Sequence, residues 1–413
     1  MRKSLDVAII GAGITGLASA TLLARGGHRV VVHERFETSR PLGSGVMLQP
    51  TGLAALERLG LRRSIEALGT RIVRLHGTAE RGTTIFDLDY RDLDPQFYAI
   101  GIHRAALHGA LWSEFLKSGA VLETSRTIVD IDAGADGRLS LRDGKARGGP
   151  HYDLVVDASG ARSPFRSLVT RATARQFSYG AVWASVADIG IAPEQLAQRY
   201  VGAKIMIGYL PIGRVTAGGS QLAALFWSLK PDDYPAWRGG FEPWRERLTG
   251  LWPALEPVVA ELKGPDDLTL ASYVQYTARL PFRGAVVLIG DAAHATSPQL
   301  GQGANHGLLD ALALSDAIAN SDDLPAALAR YAKARRDHVR FYQLASSVLT
   351  PFFQSDSRLL AVVRDLCFDR IKTVPYLHRE MLRTLAGLKT GLFSRRDPGQ
   401  LAGNSGSENS NAA

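Results

Sequence analysis

The stretch DVAIIGAGITGLASATLLARGGHRVVVHE, residues 6–34, decides the fold class of this chain. Two runs rich in β-branched residues, 6–10 and 28–34, flank a helical pattern from about Ile14 to Ala24, which predicts a strand-helix-strand unit. Between the first strand and the helix lie three glycines in G-x-G-x-x-G spacing. Such a turn directs backbone N–H groups and the positive end of the helix dipole at a pyrophosphate, so the stretch predicts a Rossmann-like dinucleotide site.

The same stretch narrows the choice of dinucleotide. Glu34 lies at the end of the second strand, 23 residues after Gly11, where a carboxylate accepts hydrogen bonds from ribose hydroxyls and disfavours a 2′-phosphate. The tightly held ligand is therefore expected to be FAD or NAD and not NADP. The residues expected to contact it here are Gly11, Gly13, Ile14, Thr15, Gly16, Glu34 and Arg35.

A second glycine-rich connection, LIGDAAHATSPQLGQGANHG at 288–307, follows a strand-like run and precedes a helical pattern that starts at Leu308. Polar, glycine-rich connections between a strand and a helix lie at the surface and often carry ligands. Gly301 and Gly303 allow close approach of the backbone, and a helix beginning near Gly303 directs its positive end at whatever precedes it. This connection is therefore a second candidate for the ligand site.

The second connection resembles the second fingerprint of the class A FAD-dependent aromatic hydroxylases, the p-hydroxybenzoate hydroxylase-like flavoprotein monooxygenases. In that family G-D precedes A-A-H, a proline and G-Q-G-x-N, as it does here from Gly290 to Asn305. The resemblance implies that the dinucleotide is FAD, that Asp291 binds the ribityl chain and that Pro298 lies beside the isoalloxazine ring. It also implies that Pro298 and Gly301 are catalytic positions and that the pyrimidine end of the flavin contacts the backbone of Gly301, Gln302, Gly303, Ala304 and Asn305.

Two further motifs agree with this resemblance, which runs from about residue 5 to 345. IGIHRAALHGAL at 100–111 is similar to the family's His-Arg helix start, which implies that Arg104 contacts the FAD phosphates or the ribityl chain. RPLGSGVMLQP at 40–50 resembles the glycine-rich segment near the flavin, which implies contacts from Gly43 and Gly45.

The middle fingerprint departs from the family pattern. The family has D-G-x-x-S-x-x-R, whose aspartate is held between FAD and the nicotinamide cofactor, whereas DASGARSPFR at 157–166 places Ser159 before the glycine. Ser163 and Arg166 are kept. Asp157 is two residues earlier, and the sequence leaves open whether its carboxylate substitutes for the missing one.

Periodicity and resemblance together predict an α/β fold: a Rossmann-like FAD-binding domain of the glutathione-reductase type, with an inserted, mostly antiparallel β-sheet substrate domain and C-terminal helices. Alternating apolar runs that carry many aromatics predict the inserted sheet. The expected ranges are 1–175 and 281–345 for the FAD-binding domain, 176–280 for the substrate domain, 346–395 for a C-terminal helical segment and 396–413 for a disordered tail.

The resemblance implies an enzyme that uses NADH or NADPH as a transient co-substrate and O2 to hydroxylate an aromatic or heteroaromatic small molecule through a C4a-hydroperoxyflavin. No second G-x-G-x-x-G in strand context would hold a resident nicotinamide cofactor. The alternatives are an FAD-dependent reductase, desaturase or epoxidase acting on an isoprenoid or polyketide-like substrate, and a regulator that senses NAD or flavin without turnover. No W-x-W-x-I-P segment supports a flavin-dependent halogenase.

The substrate is expected between the flavin and the 176–280 sheet. Candidate pocket walls are Trp183, Tyr209 and Trp227, for which core packing is the main alternative. The 176–280 range contains no histidine. A base that deprotonates a phenol would have to be Tyr179, Tyr209, Lys204 or Arg214 acting with water, or come from elsewhere.

Composition limits the setting and the partners. A single cysteine, Cys367, excludes a disulfide framework and a thiolate metal site, so no metal and a reducing, cytoplasmic location are expected. No stretch of 18 uninterrupted apolar residues appears, so no integral membrane segment is expected. Residues 1–6 lead straight into a strand without the pattern of a signal peptide, so export is not expected. Residues 330–396 hold 14 Lys/Arg against 5 Asp/Glu, but scattered through helical spacing, so no nucleic-acid partner is expected.

An apolar stripe lies within this basic segment, at Leu377, Met381, Leu385, Leu388 and Leu392. Residues at this spacing share one face of a helix. The stripe could pack on the body of the protein, pair with a second subunit or contact anionic lipid. The sequence therefore leaves a monomer and a homodimer open.

Overall fold

The computed structural model describes residues 4–38, 43–144, 149–371, 373–392 and 394–395. The 396–413 tail lies outside the described residues, so its disorder stays a prediction. Within the described ranges, no helix combines the length and the apolar character needed to cross a bilayer.

The strands and helices follow one another along the whole described chain. The strands are β1 (Asp6–Ile10), β2 (Arg29–His33), β3 (Gly45–Leu48), β4 (Thr70–Ile72), β5 (Arg74–Ala79), β6 (Thr84–Asp89), β7 (Ala99–His103), β8 (Val121–Glu123), β9 (Ile128–Ala133), β10 (Leu139–Asp143), β11 (His151–Tyr152), β12 (Leu154–Asp157), β13 (Arg175–Gln176), β14 (Gly180–Ala187), β15 (Gln195–Val201), β16 (Ile205–Gly213), β17 (Leu222–Leu229), β18 (Thr269–Ala271), β19 (Val274–Gln275), β20 (Phe282–Arg283) and β21 (Val286–Leu288). The α-helices are α1 (Ile14–Arg25), α2 (Pro50–Arg58), α3 (Arg62–Leu68), α4 (Arg104–Lys117), α5 (Arg166–Val169), α6 (Tyr234–Gly239), α7 (Phe241–Leu251), α8 (Glu256–Ala260), α9 (Asp291–His294), α10 (Gly303–Ala319), α11 (Leu324–Phe353), α12 (Arg358–Ile371) and α13 (Pro375–Leu385).

A six-stranded sheet with the order β20-β21-β12-β1-β2-β8 contains the N-terminal strand-helix-strand unit that the sequence predicts. All of its neighbouring strands from β21 to β8 run parallel. Its central strands are runs of buried Val, Ile, Leu and Ala because both faces of the sheet are covered. Helices α1, α4 and α10 pack on one face, and a three-stranded sheet with the order β11-β10-β9 packs on the other. Among these helices, α1 packs against both α4 and α10.

A seven-stranded sheet with the order β18-β14-β17-β16-β15-β5-β6 forms the second layer. Strands β14 to β17 pair antiparallel, in agreement with the alternating apolar runs. The predicted range 176–280 is too narrow for this sheet, since β5 and β6 come from earlier in the chain and β5 pairs parallel with β15. Local periodicity did not indicate this pairing because it joins segments more than a hundred residues apart in sequence.

The chain between β17 and β18, within the range predicted as mostly sheet, is helical. Helices α6, α7 and α8 pack Trp237, Trp244 and Leu248 on one face of the seven-stranded sheet. The aromatic richness of this region therefore comes from a helix-on-sheet core as well as from strands.

The C-terminal helices α12 and α13 lie against β6, at the far edge of the same sheet. Of the apolar stripe, Leu385 and Leu388 are buried and Met381 packs against the same core. Leu377 and Leu392 stay 43% and 72% exposed. Helix α13 ends at Leu385, so Leu388 and Leu392 lie beyond it and the five residues do not share one helix face as predicted. The buried members of the stripe pack on the body of the protein, which is one of the three arrangements that the sequence left open.

Candidate active site

The sequence motifs meet at one edge of the six-stranded sheet. In the parallel register, Ile10 lies opposite Asp157, and Asp157 lies opposite Leu288. The glycine turn, the middle fingerprint and the 288–307 connection therefore all follow adjacent strand ends, and Glu34 follows the next strand along. Ligands of parallel α/β sheets bind outside the carboxyl ends of the strands, so these segments form one candidate site.

The glycine turn is tightly packed on one side and open on the other. Gly11 has a φ of +103°, and a Cβ there would lie 2.8 Å from the Ala158 carbonyl oxygen, while a Cβ at Gly16 would lie 1.9 Å from the Gly11 carbonyl oxygen. A Cβ at Gly13 would meet no described atom within 4 Å. No side chain of the described residues caps α1, whose first turn is free of acids. Its N–H groups are thus available to an anion, and the turn fits a pyrophosphate.

Glu34 is buried beside this turn. Its Oε2 accepts a hydrogen bond from the Ala12 N–H at 2.8 Å, and its Oε1 accepts one from the Phe36 N–H at 3.1 Å. The carboxylate is therefore held at the mouth of the glycine turn. Its contact with a ribose stays a prediction.

Three other predicted contacts have side chains with structural roles. A Cβ at Gly290 or Gly307 would lie 2.7 or 2.1 Å from the Thr15 hydroxyl, so Thr15 fills the space between these two glycines. Ile14 packs against the core of the six-stranded sheet. The Arg35 guanidinium lies 4.6 Å from the centre of the neighbouring Phe36 ring. Contacts from Ile14 and Thr15 to the ligand would have to come from their backbone, in the first turn of α1.

Arg104 and its predicted glycine neighbours are brought together by a small sheet with the order β3-β7-β4. β3 pairs antiparallel with β7, with Gly45 opposite His103, and the Arg104 N–H donates to the Ser44 carbonyl at 2.9 Å. A Cβ at Gly43 would lie 3.4 Å from the Arg104 side chain. The arginine therefore runs along the glycine segment.

The 288–307 connection contains two glycines with positive φ, +57° at Gly290 and +60° at Gly301, and Gly301 is in the left-handed helical conformation. Glycine adopts this conformation without steric cost. Helix α10 then begins at Gly303, without a cap from any described side chain and without an acid in its first turn. Asn305, predicted as a backbone contact, holds this loop with its side chain: Oδ1 accepts from the Gln49 N–H at 2.9 Å and Nδ2 donates to the Gly301 carbonyl at 2.8 Å.

A buried ionic network behind this loop was missed by the sequence analysis. The Asp310 carboxylate accepts hydrogen bonds from the Gly290 N–H at 2.8 Å, from His294 Nε2 at 2.5 Å and from Arg335 Nε at 2.6 Å. Burial alone would raise the pKa of Asp310, but the charges and hydrogen bonds of His294 and Arg335 outweigh it and hold that pKa well below its ordinary value. Burial also lowers the pKa of the neighbouring His306, which keeps its ring neutral. The network fixes the positive-φ backbone at Gly290 through the hydrogen bond from its N–H.

One cavity of about 770 Å³ joins the loops to the seven-stranded sheet. The predicted site residues that line it are Gly43, Gly45, Arg104, Trp183, Asp291, Pro298, Gly301, Gly303 and Ala304. Tyr273 lines it too, and Trp183 Nε1 donates to the Tyr273 hydroxyl oxygen at 2.9 Å. Burial raises the pKa of Tyr273 to about 12, so the phenol is protonated at neutral pH and its own O–H can donate into the cavity.

The prediction that Tyr209 and Trp227 wall the pocket is corrected by the structure. Side chains alternate between the faces of a strand, and these two lie on the face opposite to the cavity. Tyr209 donates its hydroxyl to Asp188 at 2.7 Å, and Trp227 packs edge-on against Trp244. Among the described residues that line the cavity, none is one of the four suggested bases, Tyr179, Tyr209, Lys204 and Arg214.

Asp157, left open as a substitute for the missing family aspartate, is fully buried. Its carboxylate accepts hydrogen bonds from the hydroxyls of Ser159 and Ser163, so it belongs to the internal structure of its own loop. Arg166 donates to the Asp291 carbonyl at 2.8 Å. This bond ties the middle fingerprint to the 288–307 connection.

The C-terminal segment also reaches the site. Gln302 Nε2 donates to the Leu385 carbonyl at 2.7 Å, so the end of α13 is anchored at the loop predicted to contact the flavin. Further lining residues come from β6 and from α11 to α13. They were missed because a local apolar pattern does not distinguish a cavity wall from a core. The sequence signal for them was the apolar stripe, whose first three residues lie on α13.

Comparison with known proteins shows the family of this chain. Residues 4–342 match the family described as FAD binding domain. The chain is 31% identical over 325 residues to the 3-amino-4-hydroxybenzoate 2-monooxygenase of Streptomyces cremeus, which covers 76% of this chain and 78% of that protein. It is 28% identical over 381 residues to the aurachin C monooxygenase/isomerase of Stigmatella aurantiaca, which covers 88% of this chain and 94% of that protein.

A solved structure shows the same fold. The crystal structure of Klebsiella pneumoniae HpxO complexed with FAD and uric acid superposes with a TM-score of 0.78 at 20% identity, covering 92% of this chain and 97% of the other. The named relatives are monooxygenases, which does not favour the reductase or desaturase alternative. Since the family match spans both glycine motifs and most of the sequence, the chain belongs to the class A FAD-dependent aromatic hydroxylases, a family of flavoprotein monooxygenases.

Proposed function

We propose that this chain uses NAD(P)H and O2 to hydroxylate an aromatic or heteroaromatic ring that lies between the Pro298–Gly301 segment and the sheet face carrying Trp183 and Tyr273. The observation that supports this placement is that all of these residues line the same cavity. In the overall balance, one atom of O2 converts a ring C–H into C–OH and the other leaves as water. Two electrons come from NAD(P)H, and one further proton comes from solvent.

The residues at the edge of the six-stranded sheet fit FAD. The glycine turn and the start of α1 would hold the pyrophosphate, and Glu34 would hold ribose hydroxyls. Asp291 would bind the ribityl chain, and the start of α10 would lie at the pyrimidine end, where the positive end of a helix favours negative charge. When bound, FAD supplies the redox and oxygen chemistry that side chains lack.

The contribution of the chain itself is to orient the ring and exclude water. Trp183 and Tyr273 lie on the cavity wall, and the hydrogen bond between them fixes the orientation of the phenol. We assign the Tyr273 O–H as the donor to an oxygen substituent of the substrate ring. With a pKa of about 12, this group is a donor and not a base near neutral pH.

The nicotinamide co-substrate is proposed to bind transiently. The sequence offers one strand-linked glycine turn, at Gly11 to Gly16, and that turn fits the FAD pyrophosphate. NAD(P)H would therefore approach the flavin, deliver its electrons and leave.

The test combines an oxidation assay with isotope labelling. Protein reconstituted with FAD is given NADH or NADPH and a panel of phenols, hydroxypyridines and quinolones under heavy-isotope O2. We expect at least one ring compound to accelerate NAD(P)H oxidation and to gain one labelled oxygen atom per molecule. Accelerated oxidation that yields only hydrogen peroxide across the panel, or product oxygen that comes from water, would contradict the proposal.

A further inference from the structure

The cavity extends well past the loops assigned to the flavin. Gly45, the first residue of β3, packs against strands β16 and β17 of the seven-stranded sheet. A Cβ at Gly45 would lie 2.4 Å from Ile212 and 3.1 Å from Ala224. Leu88 on β6 also lines the cavity. The strand order β17-β16-β15-β5-β6 places three strands between the two ends. At about 4.8 Å per step, the far wall is about 19 Å from β17, which is longer than one aromatic ring requires.

The far end of the cavity, called here the apolar chamber, is formed by Leu75, Phe86, Leu88, Leu196, Phe368 and Met381. The first four come from the sheet face, and the last two come from α12 and α13, which pack against β6 and cover the chamber on that side. These six walls are hydrocarbon side chains and a thioether, and Gln198, on the same face of β15 as Leu196, adds one amide to the cavity lining. Such a space binds an apolar group in preference to water.

The charged groups around the apolar chamber are already paired. Lys389 and Glu380 line the cavity and form a short ion pair with each other, and Arg383 contacts the same carboxylate. Arg364 lies 4.8 Å from the centre of the Tyr200 ring and donates to Asp365 at 2.7 Å. A charged tail on a ligand would have to compete with these internal pairs. The chamber therefore favours a neutral group.

We propose that the apolar chamber binds a long, neutral hydrocarbon chain attached to the substrate ring, which makes the substrate class a ring that carries a linear alkyl or alkenyl tail. The position of the ring rests on the proposed function. The binding of the tail rests on the length and the mainly apolar lining of the chamber. The ring lies at the flavin end, and the tail runs along the sheet toward β6.

The test uses isothermal titration calorimetry of the FAD-loaded protein, without NAD(P)H, with para-alkylphenols from methyl to nonyl. Each methylene that enters the chamber should tighten Kd about fourfold, which corresponds to about 0.8 kcal/mol. The heat-capacity change of binding should become more negative with each homologue, because apolar surface is buried. A Kd that stays flat beyond the propyl compound would overturn the proposal.

Two variants change the chamber in opposite directions. Leu88→Phe shortens it and should weaken binding of the nonyl compound by about tenfold while leaving the methyl compound within about twofold. Phe368→Leu lengthens it and should move the tightest-binding homologue to a longer chain. Leu344→Phe, at a position on α11 that is 60% exposed, is the matched control and should change neither. Because a general loss of folding would shift both chamber variants the same way, opposite shifts cannot arise from misfolding.

The calorimetric test is independent of turnover. Chain-length dependence without any hydroxylated product would support the chamber and contradict the proposed function. Hydroxylation of ring compounds with no chain-length dependence of Kd would leave the function standing and overturn the chamber.

Discussion

Ser159 donates both its backbone N–H and its hydroxyl to one carboxylate oxygen of Asp157, at 3.0 and 2.6 Å. Ser163 donates its hydroxyl to the other oxygen. Burial, the largest influence, raises the pKa of Asp157 above its ordinary value, although the hydrogen bonds from both serines lower it. The residue that departs from the family pattern is therefore the partner of a buried acid.

Ser159→Ala is expected to lower the free energy of unfolding by about 1–3 kcal/mol near neutral pH, because a buried carboxylate loses a hydrogen bond. That hydrogen bond favours the charged form, so its loss raises the folded-state pKa of Asp157 further. The difference in unfolding free energy between variant and wild type is largest at pH values where the Asp157 carboxyl is ionised. It becomes smaller as the pH falls and this carboxyl is protonated in both proteins. Urea unfolding at a series of pH values measures this difference.

Ser118→Ala is the matched control for this prediction. Its hydroxyl donates to the Phe115 carbonyl at the end of α4 and not to a carboxylate. Its effect should be smaller and independent of pH. A Ser159→Ala effect that does not change with pH would mean that Asp157 is not the group stabilised.

Asp310→Asn is expected to cost about 3–5 kcal/mol of unfolding free energy, because the variant leaves the buried Arg335 without its carboxylate. The folded-state pKa of Asp310 is depressed, so its stabilising effect is present above the ordinary aspartate pKa and is lost as pH falls through the depressed value. Asp316→Asn on the same helix is the control. That carboxylate is 45% exposed and pairs with Arg58, so its removal should cost less than about 1 kcal/mol. Equal losses of unfolding free energy in Asp310→Asn and Asp316→Asn would mean that burial does not increase the contribution of the Asp310 ion pair.

Gly13→Ala and Gly11→Ala should separate ligand binding from folding. A Cβ at Gly13 meets no described atom within 4 Å, so this variant should unfold like wild type without FAD and yet bind FAD at least about tenfold more weakly, because the methyl group occupies space needed by the pyrophosphate. Gly11→Ala should lose stability as well, since its φ of +103° and the Ala158 carbonyl leave no room for a Cβ. FAD titration and thermal unfolding of the apoproteins provide both readouts. Wild-type FAD affinity in Gly13→Ala would place the pyrophosphate elsewhere.

Glu34→Ala should weaken FAD binding by about 1–3 kcal/mol, the range for charge-assisted hydrogen bonds left unmade. Glu123→Ala is the control, because Glu123 ends the neighbouring strand β8 and pairs with His33 at the edge of the sheet. Fluorescence titration of released flavin measures both variants. If Glu34→Ala and Glu123→Ala lose the same FAD affinity, the loss comes from removing a negative charge and not from losing hydrogen bonds to the ribose.

The sequence predicted the parts of the site that depend on local geometry. Residues 6–34 indicate a strand, a glycine turn and a helix, and the parallel pairing of β1 with β2 then puts Glu34 beside the turn. The Asp310 network could not be predicted in this way. Its central bond joins a helix residue to the Gly290 N–H 20 positions earlier, and such a bond exists only once α10 packs behind the loop.

The prediction that Tyr209 lines the substrate pocket was wrong for a similar physical reason. Every residue of β16 is buried, because helices cover one face of the strand and the cavity wall lies on the other. The alternation of apolar and polar residues that normally identifies the inner face is therefore missing. Trp183 and Tyr209 were equally plausible from the sequence. They are separated by the pairing of both β14 and β16 with β17, because Trp183 lies opposite Phe226 and Tyr209 lies opposite the adjacent Leu225.

Tyr273 and Tyr209 lie on opposite faces of the layer built on the seven-stranded sheet and provide a matched pair for the last prediction. Tyr273→Phe removes the proposed donor and should raise the Kd of phenolic ligands roughly two- to tenfold, the value of one hydrogen bond. Tyr209→Phe removes a hydroxyl that bonds to Asp188 and should lower stability while leaving ligand Kd unchanged.

The pH profile distinguishes a donor from a base at Tyr273. With a pKa of about 12, the phenol stays protonated between about pH 6 and 9, so the loss of affinity in Tyr273→Phe should be constant across that range. Calorimetry at three pH values measures the ligand Kd of Tyr273→Phe. The reference is the wild type, in which the hydrogen bond between Trp183 and Tyr273 is intact. A wild-type rate that rises with pH, through a step that Tyr273→Phe abolishes, would instead make Tyr273 the base that activates the ring.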